Sequence, residues 1–215
     1  MRLHKAVPGL LAVGFVVLGG PGVAPGVAPS VALPADEARI AQTFVTARTA
    51  LQSGDGAGAV ALLSEADIGR VERVRDAALA GPGPALDALP PAERLGALSL
   101  RHYMEPAEIR RHDAAGLVEH ALARGWLDPG TIGRAGLGKV SVKGDRASGA
   151  LLVDDQPALV PAGFVREGGE WRIDLGQPLQ IADALIRTTA LLSQRTEDQV
   201  VDEILEHLSA RHPTR

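Results

Sequence analysis

The sequence predicts a mostly helical α+β fold in which N-terminal helices pack on a curved antiparallel β-meander and a helical extension follows at the C-terminus. Three observations predict it. From Lys139 to Leu175 apolar and polar residues alternate across three short turns, the period-two pattern of strands that bury one face. Between Asp36 and Arg124 apolar residues recur at helical spacing, interrupted by Gly- and Pro-rich breaks. Beyond Gly176 two further amphipathic runs follow with no strand between them.

Taken in order, Ile40, Phe44, Ala47 and Leu51 fall on one narrow face of a helix from Asp36 to Gln52, with Arg39, Thr46 and Arg48 outside that face. Ser53-Gly54-Asp55-Gly56 ends it, and Asp55 is placed to cap a second helix, Ala57 to Leu63. A third helix, Glu65 to Leu79, stops at Gly81-Pro82-Gly83-Pro84; Ala92 to Tyr103 and Ala107 to Arg124 read as a fourth and fifth. Trp126 to Gly138 reads as loop, turning at Asp128-Pro129-Gly130.

The meander begins at Lys139. Gly144-Asp145 makes a hairpin turn, Asp154-Asp155-Gln156-Pro157 a second turn, and Gly168-Gly169 a third, leading into Glu170 to Leu175. Ala147, Gly149, Leu151, Val153, Trp171, Ile173 and Leu175 share the inner face, while Lys139, Lys143, Arg146, Ser148, Glu170, Arg172 and Asp174 share the outer one. Pro178 to Gln194 then begins with a proline suited to a first helical turn, and Glu197 to Ala210 is opened by the capping box Thr196-x-x-Gln199. Val200, Val201, Ile204, Leu205 and Leu208 give that last helix an apolar stripe, which must lie on the domain or on another chain.

The chain of 215 residues carries a basic start, Met1-Arg2-Leu3-His4-Lys5, and an apolar run, Leu10 to Leu18, of signal-peptide length. Pro8, Gly9, Gly19, Gly20 and Pro21 bracket that run short of the roughly 20 residues a membrane span needs. The expectation is a signal peptide over residues 1–32, with small residues at Ser30 and Ala32 for cleavage, a residual linker over 33–35, a domain over 36–176 and a helical extension over 177–215. Periplasmic or secreted localisation follows from it, with an uncleaved N-terminal anchor as the alternative. Removing the leader takes away Arg2 and Lys5 and no acid, leaving 20 basic against 26 acidic residues, about −6. That balance argues against nucleic acid or anionic lipid as a partner. The chain has no cysteine, so neither disulfides nor thiol chemistry enter.

Helices first, a Ser53-Gly54-Asp55 junction after the first of them, and a closing Phe164-Val-Arg-Glu-Gly-Gly-Glu-Trp-Arg-Ile-Asp-Leu175 resemble the NTF2-like (cystatin-like) α+β cone superfamily over about Asp36 to Leu175. Five helical runs precede the sheet where three are usual in that superfamily. It includes ketosteroid isomerase-like and dehydratase-like enzymes, transport adaptors and many secreted domains. The resemblance implies a pocket between helices and sheet, into which its enzymes project an acid or a histidine.

Here the inner sheet face carries no acid, base, nucleophile or metal ligand. His102 and Tyr103, at a helix end, are the side chains best placed to reach such a pocket as general acid or base. With Leu151, Trp171 and Ile173 they form the candidate ligand-binding set; no catalytic residue is assigned. His112 and Glu119, like Asp113 and His120, lie two helical turns apart, too far for one metal, and read as a solvated helix face. Gly133, Gly136 and Gly138 lack the strand before and the helix after that a phosphate cradle needs. No metal and no cofactor are expected. Three functions remain: a non-catalytic exported domain holding a small apolar ligand or a protein partner, an isomerase-like or dehydratase-like enzyme using His102 or Tyr103, and a homodimer formed through the C-terminal helices.

Overall fold

The computed structural model describes residues 35–211, without the side chains of 209–211; the expected signal peptide and most of the linker lie outside the described residues. The chain is α+β, with ten helices and one open antiparallel sheet among those residues. Helices α1 (Ala35–Ser53), α2 (Gly56–Val60), α3 (Glu65–Ala80), α4 (Pro84–Asp87), α5 (Pro91–Tyr103), α6 (Pro106–Ile109), α7 (Ala114–Ala123) and α8 (Pro129–Gly133) come first. Strands β1 (Ala135–Lys143), β2 (Arg146–Val153), β3 (Gln156–Pro157), β4 (Ala162–Glu167) and β5 (Glu170–Asp174) follow, then α9 (Gly176–Ser193) and α10 (Glu197–Arg211).

The caps do what the sequence asks of them. Asp55 accepts from the Gly58 amide at 2.7 Å, and the capping box closes reciprocally, Gln199 N to Thr196 Oγ1 at 3.2 Å and Thr196 N to Gln199 Oε1 at 3.0 Å. Other boundaries differ. The expected single helix over Ala107 to Arg124 is divided, because Asp113 leaves the helical conformation and caps α7 through the Gly116 amide at 2.9 Å. Within the expected loop of Trp126 to Gly138, Asp128 caps α8 through Gly130 and Thr131, and β1 starts at once after it. Gly136 and Gly138 therefore belong to a strand; Leu152 and Ala150 of β2 lie beside their absent side chains. The short α4, not expected from the sequence, is one turn set by Pro84 at its start.

The sheet order is β1-β2-β4-β5, with β3 paired to the end of β2. Asp154 and Asp155 both take positive φ (52° and 60°) in the β2–β3 turn, and Gly168 and Gly169 do the same (59° and 87°) between β4 and β5. Two successive positive φ values mark the tight hairpin whose twist matches the flanking strands. Alternation along β2 follows the expectation: Ala147, Gly149, Leu151 and Val153 are buried and Arg146 is exposed. On the outer face Arg146 pairs with Asp174 at 2.9 Å.

The chain between α2 and α3 joins the free edge of β5 by a parallel bridge at Leu63 and Ile173, with Ser64 N to Ile173 O at 2.9 Å and Ile173 N to Leu62 O at 2.8 Å. The helices are thus stitched directly to the sheet. Ile40 and Phe44 of α1 pack on Ala147, Leu151, Phe164 and Trp171 to form the sheet core. A second, larger apolar cluster lies among α3 to α8, around Leu100, Ile109, Leu117 and Trp126, with Leu51 of α1 and Val60 of α2 packed against it. In the third, Ile186, Ala190, Val200 and Val201 of α9 and α10 pack on Leu95 of α5, joined by Ile204, Leu205 and Leu208. The apolar stripe of α10 is therefore covered within its own chain. No helix among the described residues is long and apolar enough to cross a membrane.

Candidate functional site

A cavity of about 140 Å³ lies between α1, α2, α8 and the inner face of the sheet. Helix α1 brings Phe44, Ala47, Arg48 and Leu51 to it, residues three and four apart on one helical face. The sheet brings Leu151, Ala162, Phe164 and Ile173, and Pro178 at the start of α9 closes one side. Apolar cavities near 150 Å³ stay dry and admit a benzene-sized guest. A smaller cavity, about 70 Å³, adjoins it across Val118, Leu175 and Pro178 and is bordered by Asp67, Arg70 and Glu93.

Three polar side chains interrupt the apolar lining of the larger cavity: Arg48, Asp128 and Thr131. Asp128 is fully engaged, its Oδ1 accepting from the Gly130 amide at 3.0 Å and its Oδ2 from the Thr131 amide at 3.0 Å and the Thr131 hydroxyl at 2.6 Å. The Thr131 hydroxyl bond, helped by both amides and by the charge of Arg134 and only partly opposed by burial, holds the Asp128 carboxyl below the usual carboxylate range. It stays ionised at neutral pH and is a weak proton acceptor there. Arg48 donates from Nη1 to the carbonyl of Ala135 at 2.7 Å, while its Nε is sealed from solvent and meets no acceptor. No carboxylate oxygen lies within 4 Å of this guanidinium among the described residues.

Of the candidate ligand-binding set, Leu151 and Ile173 line the cavity. Trp171 is buried in the same sheet core but turns to another purpose: its Nε1 donates to Asp36 Oδ1 at 3.2 Å, and the Arg166 guanidinium lies 4.6 Å from its ring. His102 is exposed, and Tyr103 packs its ring on Trp126 with centroids 4.9 Å apart, inside the helical cluster. Neither reaches the two cavities. The last turn of α5 instead sets Tyr103 against Trp126 and leaves His102 in solvent. Arg48, Asp128 and Thr131 are the polar groups that sequence reading did not select. Arg48 stands four residues after Phe44 and three before Leu51, so it flanks the apolar stripe, and that adjacency was its only signal.

The face carrying His112, Asp113, Glu119 and His120 is only partly solvated. Asp113 and Glu119 are exposed, but the His120 side chain is 11% exposed, with its ring 5.2 Å from Trp126 and 5.5 Å from His112. Among the described residues no group of three His, Cys, Asp or Glu is arranged to hold a metal. Burial pushes the His120 imidazole below 6.5; Glu108, 4.0 Å away, opposes the shift, and Arg124 and His112 add to it. A histidine whose folded pKa lies below its unfolded value takes up protons more readily in the unfolded chain, so stability falls as pH drops through about 6.5. Acidification from pH 7.5 to 5.5 is expected to lower Tm, and His120→Phe is expected to flatten that decline. An identical decline in the variant removes His120 as its source.

Comparison with family models, with curated proteins and with solved structures finds no match.

Proposed function

We propose that this protein is an exported, non-catalytic NTF2-like binding domain that holds a small apolar ligand in the cavity beneath its sheet. The cavity carries the reading: it is large enough for one ring, its walls are largely aliphatic and aromatic, and it sits where helices α1 and α2 roof the inner face of the meander. The cone reading draws support from the element order, helices before an antiparallel meander that closes on Trp171 and Ile173. Export rests on the basic and apolar leader of residues 1–32.

An isomerase-like reaction would need a group exchanging protons near neutral pH at the cavity. Asp128, the acid there, is committed as the cap of α8 and held ionised. Binding therefore accounts for the lining better than proton transfer does.

Toluene and indole, titrated against the purified mature chain, are the direct probes. A guest present at a hundred times its Kd stabilises the fold by about 2.7 kcal/mol, a Tm rise of about 5–10 °C for a chain of this size. Ala162→Leu, which puts a larger side chain into the cavity, is expected to abolish the rise while leaving the fold intact. No rise with either probe in the parent chain refutes the binding reading.

A further inference from the structure

We propose that the natural ligand is a small apolar acid whose carboxylate sits on Arg48, with its ring or branched chain in the apolar part of the cavity; this rests on the binding reading above. A guanidinium has three nitrogens that donate. In Arg48, Nη1 is occupied by the Ala135 carbonyl, Nε is closed off from water with no acceptor, and Nη2 is open to solvent with no protein partner among the described residues. What remains unused is the Nε–Nη2 edge, the two parallel N–H groups that a carboxylate accepts from in bidentate fashion.

The charge also lacks a counter-ion. Arg70, Arg94, Arg134, Arg146 and Arg166 each pair with a carboxylate, whereas among the described residues Arg48, like Arg101 and Arg172, rests only on a backbone carbonyl, and of these three Arg48 alone lines the cavity. Asp128, the nearby acid on the same lining, has both oxygens spent on Gly130 and Thr131. The sealed Nε–H is a donor that is costly to leave unpaired, and an anionic guest supplies both the charge and the acceptor atoms. The apolar remainder limits the rest of that guest: Phe44, Leu151, Phe164 and Ile173 offer it no hydrogen bond, and Asp128 and Thr131 are already bonded to each other and to the Gly130 and Thr131 amides. A cavity of about 140 Å³ holds one ring or a short branched chain.

Benzoate, benzyl alcohol and toluene separate the two ideas, because they share a ring and differ in the head group. Titrated calorimetrically against the mature chain at pH 7.5, benzoate is expected to bind at least about tenfold more tightly than benzyl alcohol, the difference made by a charge-assisted bidentate pair. Arg48→Met is expected to erase that preference, and Arg48→Lys, which keeps the charge but not the planar edge, to retain part of it. If toluene binds and benzoate shows no advantage in the parent chain, the carboxylate site is wrong and the apolar cavity stands. If none of the three binds, both readings fall. The parent-chain comparison decides the matter even where a variant at Arg48 fails to fold.

Discussion

Replacing Trp171 with alanine is expected to lower stability by about 3–5 kcal/mol. The side chain is 3% exposed and stands at the centre of the sheet core, where β5 meets Phe164 of β4 and Ile40 and Phe44 of α1. Its loss removes more than apolar area. The indole N–H donates to Asp36 at the start of α1, and Asp36 in turn binds Arg166 at 2.7 Å while Arg166 covers the ring. One residue therefore ties the first helix to the last strand. Trp171→Phe keeps most of the volume and breaks only the hydrogen bond, so it is expected to cost about 1 kcal/mol. Thermal melts separate the two: a fall of about 6–20 °C for alanine against about 2–4 °C for phenylalanine. An alanine variant that melts within about 2 °C of the parent overturns the assignment. The indole bond and Arg166 also hold the Asp36 carboxyl below its usual value. Because that folded pKa is depressed, the tie is at full strength above the unfolded carboxylate pKa and is lost as pH falls below it.

The second large effect is expected at Asp67. This carboxylate is fully buried, and it serves three elements at once. Oδ2 accepts from the Ser64 hydroxyl at 2.7 Å and from the Leu175 amide at 2.8 Å, while Oδ1 pairs with Arg70 one turn along α3. Arg70 continues to Glu93 of α5 at 2.9 Å. Asp67 thus fastens the start of α3 to the end of β5, just where the parallel bridge at Leu63 and Ile173 makes the same connection through the backbone. Asp67→Ala strands a buried amide, a buried hydroxyl and half of an ion pair, for which about 3–5 kcal/mol is the expected cost. Removing Arg70 as well, as Met, is expected to cost less than the two single changes summed, since the second change deletes a charge the first left unpartnered. Urea titration of the four proteins in that cycle measures the coupling. A single variant within about 1 kcal/mol of the parent contradicts the role given to Asp67.

Asp183 repeats the device on a smaller scale. Buried on α9, it accepts from the Ala92 amide at 2.8 Å and so caps α5 from a helix 91 residues away in sequence. Together with the packing of Val200 and Val201 on Leu95, it makes the C-terminal helices part of the same body as the domain before them. The reason to expect a second subunit on α10 is thereby removed, since the stripe that called for a partner finds α5. Leu185, Leu191 and Leu192 of α9 remain exposed.

What the sequence determined by itself is local. Period-two alternation placed the strands around Leu151 and Trp171, and turn chemistry at Gly144, Asp154 and Gly168 set their connections, because a strand's face and a hairpin's φ values depend on residues a few positions apart. The same locality gave Asp55 and Thr196 their caps. Asp113 and Asp128 cap helices by the same rule, but Asp113 lies in a stretch that reads as one continuous helix and Asp128 in one that reads as loop, so both helix starts were decided by where α7 and α8 had to pack. The site was legible only in its apolar half. Leu151 and Ile173 follow from alternation, whereas the exposure of His102, the burial of His120 and the unpaired state of Arg48 depend on which helix ends meet. Tertiary structure decided these, because charge compensation and burial are properties of neighbours in space: Arg48 stands 87 residues before the Ala135 carbonyl that holds it, and nothing near it in the chain shows that no carboxylate arrives.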